Sequence, residues 1–198
     1  MNQEQLTELM YQALETEQGG QRVYEQAIKC AQTPELKEEW MKYLAETQEH
    51  ERILRTTFDR LKLDPEKETP GRQVVRKKAD GLVSAMQMAK SASPVAGELC
   101  AAESVVEAET KDHQNWELIG LVAEELKGDQ AKALKEAHEQ VEEQEDEHLY
   151  HTMGWARELW IKSLGMPAVI PPPEEEKKVK TAIGAARAKQ SREEMLSR

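Results

Sequence analysis

The sequence predicts an all-α protein: an antiparallel four-helix bundle with a long crossover containing a short helix, plus a C-terminal tail. Three observations carry that expectation. Glu, Gln, Ala, Lys and Leu dominate, while only 5% of the 198 residues are aromatic. Such a composition favours helices and is poor in the residues that strands prefer. Apolar residues recur at steps of three and four along each long stretch, the period of a helix with one buried face. The breaks between long stretches are short within each of two pairs and long between the pairs, which sets how the helices turn back on one another.

The first helix is expected from about Gln5 to Ala31, with a stripe of Leu6, Met10, Ala13, Glu17, Gly20, Tyr24 and then Ala27 or Ile28. Thr33-Pro34-Glu35 breaks it and opens the second, because proline is tolerated in a first turn. The second runs to about Lys62 with Leu36, Trp40, Tyr43, Thr47, His50, Leu54 and Leu61 on its stripe. Leu63 to Gly71 contains two prolines and reads as a loop. A shorter helix spans about Val74 to Lys90. The third long helix, about Val95 to Leu126, aligns Leu99, Ala102, Val106, Glu109, His113, Trp116, Gly120 and Ala123. After Lys127-Gly128-Asp129 the fourth, about Gln130 to Leu164, aligns Leu134, His138, Val141, Glu145, His148, Thr152, Trp155 and Leu159. Gly165 and Pro167 end it.

Residues 1–168 are thus assigned to the bundle and 169–198 to a separate tail. Pro171 to Pro173 form a stiff spacer. Beyond it lie seven basic and five acidic side chains, a net +2. The tail is expected to be disordered or weakly helical and to lie outside the bundle.

The whole chain has 38 acidic and 27 basic residues, a formal charge of -11, so the bundle alone carries -13. That charge disfavours nucleic acid as a partner. No apolar run approaches the ~20 residues of a membrane span, and MNQEQLTELM lacks the pattern of a signal peptide. A cytoplasmic location is expected. Cys30 and Cys100 form no close motif and are expected as thiols, a disulfide being the alternative.

Ionisable residues interrupt every stripe near its middle. A buried carboxylate is costly unless it is paired or binds a metal. The first and third long helices supply Glu17 and Glu109. The fourth supplies Glu145-Asp-Glu-His148, whose spacing of three puts both side chains on one face. The second supplies Thr47-Gln-Glu-His50 at the same spacing. An internal repeat accompanies them. Leu14-Glu-Thr-Glu17 with Tyr24 parallels Val106-Glu-Ala-Glu109 with Trp116, and each half then delivers a histidine, 33 and 39 residues further on. The halves read as copies of one helical hairpin, each donating half of a site.

At these residues the chain resembles the ferritin-like di-iron carboxylate superfamily, whose relatives include rubrerythrins, bacterioferritins and manganese catalases. The resemblance covers about residues 6–160. It implies that Glu17, His50, Glu109, Glu145 and His148 are metal ligands, holding one or two iron or manganese ions that act on oxygen or peroxide. It also implies Fe(II) oxidation or peroxide consumption in defence against oxidative stress, and homo-oligomers. Thr47 departs from the pattern, which has a Glu there that bridges the metals. The alternative is therefore a non-enzymatic bundle with a degenerate site, serving assembly or partner binding. Oxygen and nitrogen ligands suit Fe(II) or Mn(II), and no cluster of thiolates is present.

Other polar positions keep two readings. His113 and His138 are either extra ligands compensating for Thr47 or histidines bonded to Glu or carbonyl groups. His151 lies off the stripe and is expected on the surface. Tyr24, Trp40, Trp116 and Trp155 are expected in the core. Gly19 and Gly20 together cost roughly 2 kcal/mol inside a helix, a cost explained if they leave room beside a site. Thr181 to Lys189 faintly resembles the short cargo peptides that send ferritin-like proteins into encapsulin shells, against the plainer reading of helical padding.

Overall fold

The computed structural model describes residues 1–196. Its elements are α1 (Gln3–Cys30), α2 (Pro34–Leu61), α3 (Pro70–Ala92), α4 (Pro94–Glu125), α5 (Gly128–Ser163), α6 (Pro173–Glu176), α7 (Ala182–Gln190) and α8 (Arg192–Leu196), with no strand among the described residues. Local chemistry sets the boundaries. The Asn2 side chain accepts hydrogen bonds from the Glu4 and Gln5 N–H groups at the start of α1. Pro34, Pro70 and Pro94 open α2, α3 and α4, where their missing N–H costs nothing. Thr69 and Ser93 cap α3 and α4 through the N–H groups of Arg72 and Ala96. The crossover helix therefore begins at Pro70, four residues before the expected Val74, because a proline read as a loop signal sits at a permitted first-turn position.

The four long helices build two apolar clusters separated by a polar layer. One cluster joins Leu14, Leu54, Trp116 and Leu134 with their neighbours; the other joins Tyr24, Trp40, Ala102 and Trp155 with theirs. α1 and α5 enter the first cluster with their N-terminal halves, whereas α2 and α4 enter it with their C-terminal halves. The contacting long pairs α1·α2, α4·α5, α1·α4 and α2·α5 are therefore all antiparallel, as the short breaks within each hairpin predict. α3 crosses between the hairpins and packs on α1 and α4.

That packing accounts for Gly19. A Cβ there would stand 2.8 Å from the Ala79 Cβ of α3, so the glycine makes room for the crossover helix and not for a metal site. Gly20 faces the Thr47 methyl, with 3.5 Å available to a Cβ. Tyr24, Trp40, Trp116 and Trp155 are buried, as expected. Cys30 and Cys100 are free thiols. No helix among the described residues is long and apolar enough to cross a membrane.

The segment after residue 168 departs from the expectation of a tail outside the bundle. It forms α6, α7 and α8 and buries Val169, Val179 and Ala188. Polar groups of α5 anchor it. Arg157 donates to both oxygens of Glu174 at 2.7 and 2.8 Å. Glu158, itself fully buried, accepts from the Val169 N–H at 2.8 Å and from Arg192 Nε at 2.8 Å. The same packing overturns the surface assignment of His151. Its ring is 3% exposed, because the Val179 carbonyl lies 3.0 Å from Nε2 and Glu39 lies 2.9 Å from Nδ1. Trp155 Nε1 donates to Glu39 at 2.7 Å and also to Glu175 of α6. A helical stripe read from the bundle alone cannot include a surface that another segment covers.

Candidate metal centre

The polar layer between the two clusters receives one contribution from each long helix. α1 brings Glu17, α2 His50, α4 Glu109 and Asp112, and α5 Glu145 and His148, all buried. Each sits where the apolar spacing of its helix points inward, so folding that buries the flanking leucines and tryptophans carries these groups inside as well. All five residues expected as ligands converge. Glu17, His50 and Glu145 offer donor atoms within 4.8 Å of one another, as do Glu109, Glu145 and His148. Glu145 is common to both groups. These buried clusters could hold a metal ion.

The orientation of both imidazoles follows from their outer partners. Gln144 Nε2 donates to Glu46 Oε1 at 3.3 Å, which leaves Gln144 Oε1 as an acceptor. That oxygen lies 2.8 Å from His50 Nε2, so Nε2 carries the proton. His148 Nε2 lies 2.8 Å from Glu46 Oε2, and a carboxylate likewise only accepts. Both Nδ1 atoms therefore face the layer. His50 Nδ1 is 2.9 Å from Glu145 Oε1 and 3.9 Å from Glu17 Oε1. His148 Nδ1 is 3.5 Å from Glu109 Oε2 and 3.9 Å from Glu145 Oε1. An imidazole fixed by an outer carboxylate or amide, with its other nitrogen turned inward, is the usual arrangement of a metal ligand.

The carboxylates fit a cation better than they fit each other. Glu17 Oε2, Glu109 Oε2, Asp112 Oδ1 and both Glu145 oxygens are buried without a hydrogen-bond partner, as are both inward Nδ1 atoms. Burial, and then the charges of Asp112 and Glu145, pushes the Glu17 carboxyl well above its usual range. Burial and the Glu145 and Glu109 charges do the same to Asp112, and burial and Glu109 to Glu145. Burial opposes a proton on His148, yet the neighbouring Glu109 and Glu46 carboxylates outweigh it and push the ring up to about 10. His50, its ring centroid 5.7 Å away, is pushed down by burial and then by the His148 charge. Trp116 Nε1 donates to Glu17 Oε1 at 2.8 Å and pins that side chain.

Four participants escaped the sequence reading. Asp112 stands three residues after Glu109, the same spacing used to find Glu145 and His148, so its signal was present. Glu46 and Gln144 lie one residue outside the expected stripes and reach inward past the backbone, which no period reveals. Trp116 was read as core alone, although its N–H holds Glu17. Thr47 is buried beside Gly20. His113 and His138 do not join the centre. His113 pairs with Asp146 at 3.3 Å and His138 with Glu142 at 3.6 Å, both nearer the surface between α4 and α5, so neither stands in for the missing Glu.

Compared with models of known protein families, with characterised proteins and with solved structures, the chain matches none.

Proposed function

We propose that this protein is a ferritin-like metal protein that holds iron or manganese between its helices through Glu17, His50, Glu109, Glu145 and His148. The reading is supported above all by one observation: a closed layer of buried carboxylate oxygens and inward imidazole nitrogens that lack partners, inside a core that is otherwise apolar. A divalent ion would neutralise that charge and satisfy those atoms. Glu145, shared by both donor groups, would be a ligand in either, and Asp112 adds to the layer a further buried carboxylate with one oxygen unpartnered. Iron or manganese with an open coordination position would supply the redox couple for oxidising Fe(II) with oxygen or for consuming peroxide. The protein's own share is to orient His50 and His148 through Gln144 and Glu46 and to hold Glu17 through Trp116. Metal analysis after refolding with excess Fe(II) or Mn(II) tests the proposal, and less than about one tenth of an equivalent bound would sink it.

Thr47 favours a second reading, in which the layer is the remnant of such a site and the bundle serves assembly or partner binding. On that reading His148→Ala leaves the metal content unchanged.

A further inference from the structure

The geometry points to a dedicated cation port between α4 and α5, a reading that rests on the metal-binding function proposed above. A cavity of about 870 Å³ opens there, and Glu145 forms part of its wall. Glu145 is 1% exposed and neither of its oxygens has a hydrogen-bond partner. The cavity thus reaches the side of Glu145, whose carboxylate oxygens are themselves shut off from solvent behind that wall. The approach to it is lined by Glu117, Glu124, Glu139, Glu142 and Asp146. The single ammonium on the wall, Lys135, is 3.6 Å from Glu139.

Two histidines complete the approach. His113 of α4 meets Asp146 of α5 at 3.3 Å on the cavity wall. His138 stands by Glu142, against Gly120, where a Cβ would come within 2.6 Å of its ring. The glycine keeps that side of the passage free of a side chain that would displace the imidazole. Mixed imidazole and carboxylate pairs are weak, exchangeable positions for a divalent ion, and a cleft lined by one sign of charge concentrates counter-ions and speeds their arrival. The port passes Trp116, whose N–H holds Glu17, and ends at Glu145, the carboxylate common to both donor groups.

The other large cavity, about 630 Å³ between α1, α3 and α4, offers no such route. None of the five ligands lines it, its wall is mostly apolar, and it presents Lys78 and Lys111 against one carboxylate, Glu107. A cation is repelled there and drawn in between α4 and α5.

Stopped-flow binding of Co(II), followed by its visible absorption, tests the port. The variant is Glu139→Gln/Glu142→Gln/Asp146→Asn. Its control, Glu4→Gln/Glu25→Gln/Glu38→Gln, loses the same charge away from the cavity. The expected result is an association rate at least about tenfold slower in the port variant only, with final cobalt occupancy equal to wild type. The wild-type rate should also fall as salt is raised. An unchanged rate in the port variant, an equal slowing in the control, or a wild-type rate indifferent to salt would overturn the port. Loss of final occupancy would overturn it too, by making these residues ligands. A wild-type protein that takes up no cobalt, iron or manganese would defeat the metal-binding function itself, a result separate from the others.

Discussion

Replacing Glu145 by Gln separates a structural carboxylate from one kept for a ligand. The side chain is 1% exposed and both its oxygens lack partners. Leaving such a group buried and unsatisfied costs about 1–3 kcal/mol, and more when it is charged. Gln removes the charge, and its amide N–H can donate to His50 Nδ1, which lies 2.9 Å from the present Oε1. The metal-free variant should therefore be more stable than wild type by about 1–2 kcal/mol. For a chain of this size that is about 2–8 °C in Tm. Metal at about a hundredfold excess over its Kd should add about 2.7 kcal/mol to wild type, and almost nothing to the variant. Differential scanning calorimetry of both proteins, with chelator and with Mn(II), reads all four values. A variant that melts at or below wild type in chelator, or that keeps the full Mn(II) shift, would refute the reasoning.

Glu46→Gln removes the carboxylate charge behind His148 Nε2, and Trp116→Phe removes the donor to Glu17 Oε1. Each should weaken Mn(II) binding about 10–100-fold by titration calorimetry with little change in fold. Asp112→Asn should lower the metal stoichiometry, and Asp112→Asn/Thr47→Glu should restore it if the carboxylate can be supplied from α2. Gly19→Ala, normally stabilising in a helix, should here cost about 1–3 kcal/mol in chemical denaturation, because its Cβ would meet Ala79 at 2.8 Å. The C-terminal segment should loosen at alkaline pH. Burial, and then its contact with Glu39, pushes Glu175 up to about 8. For Glu39 burial opposes ionisation, but hydrogen bonds from His151, Glu175 and Tyr43 hold it down at about 2. A raised carboxyl contributes stability that is fully present below its unfolded value and is lost as pH rises through about 8. Limited proteolysis after residue 168 should accelerate across that range in wild type and not in Glu175→Gln, and equal acceleration in both would refute this role of Glu175.

Most of the centre was legible from spacing. Glu145 and His148 are three residues apart, and the two Glu residues of the repeat fall at the same point of matching stripes. A helix converts such spacing directly into direction, so the inward groups could be named before their neighbours were known. Asp112 is equally legible, three residues after Glu109. Glu46, Gln144, His151 and Gly19 were not legible, because each is defined by a partner 28 to 102 residues away. The C-terminal segment shows the same limit more strongly. Its charge and prolines read as a solvated tail, whereas Arg157 and Glu158 of α5 offer the counter-charges that hold Glu174 and Arg192.

The sequence by itself determined four long helices, their antiparallel pairing and the five polar groups inside them, since period, breaks and repeat are local properties of the chain. Tertiary packing alone decided that the apolar core divides into two clusters around those groups and that both imidazoles turn Nδ1 inward. It also decided that Glu145 stands at the junction of both donor groups and of the cavity between α4 and α5. The physical reason is that a helix fixes which way a side chain points, but burial, hydrogen-bond partners and field come from whatever other segment arrives opposite it.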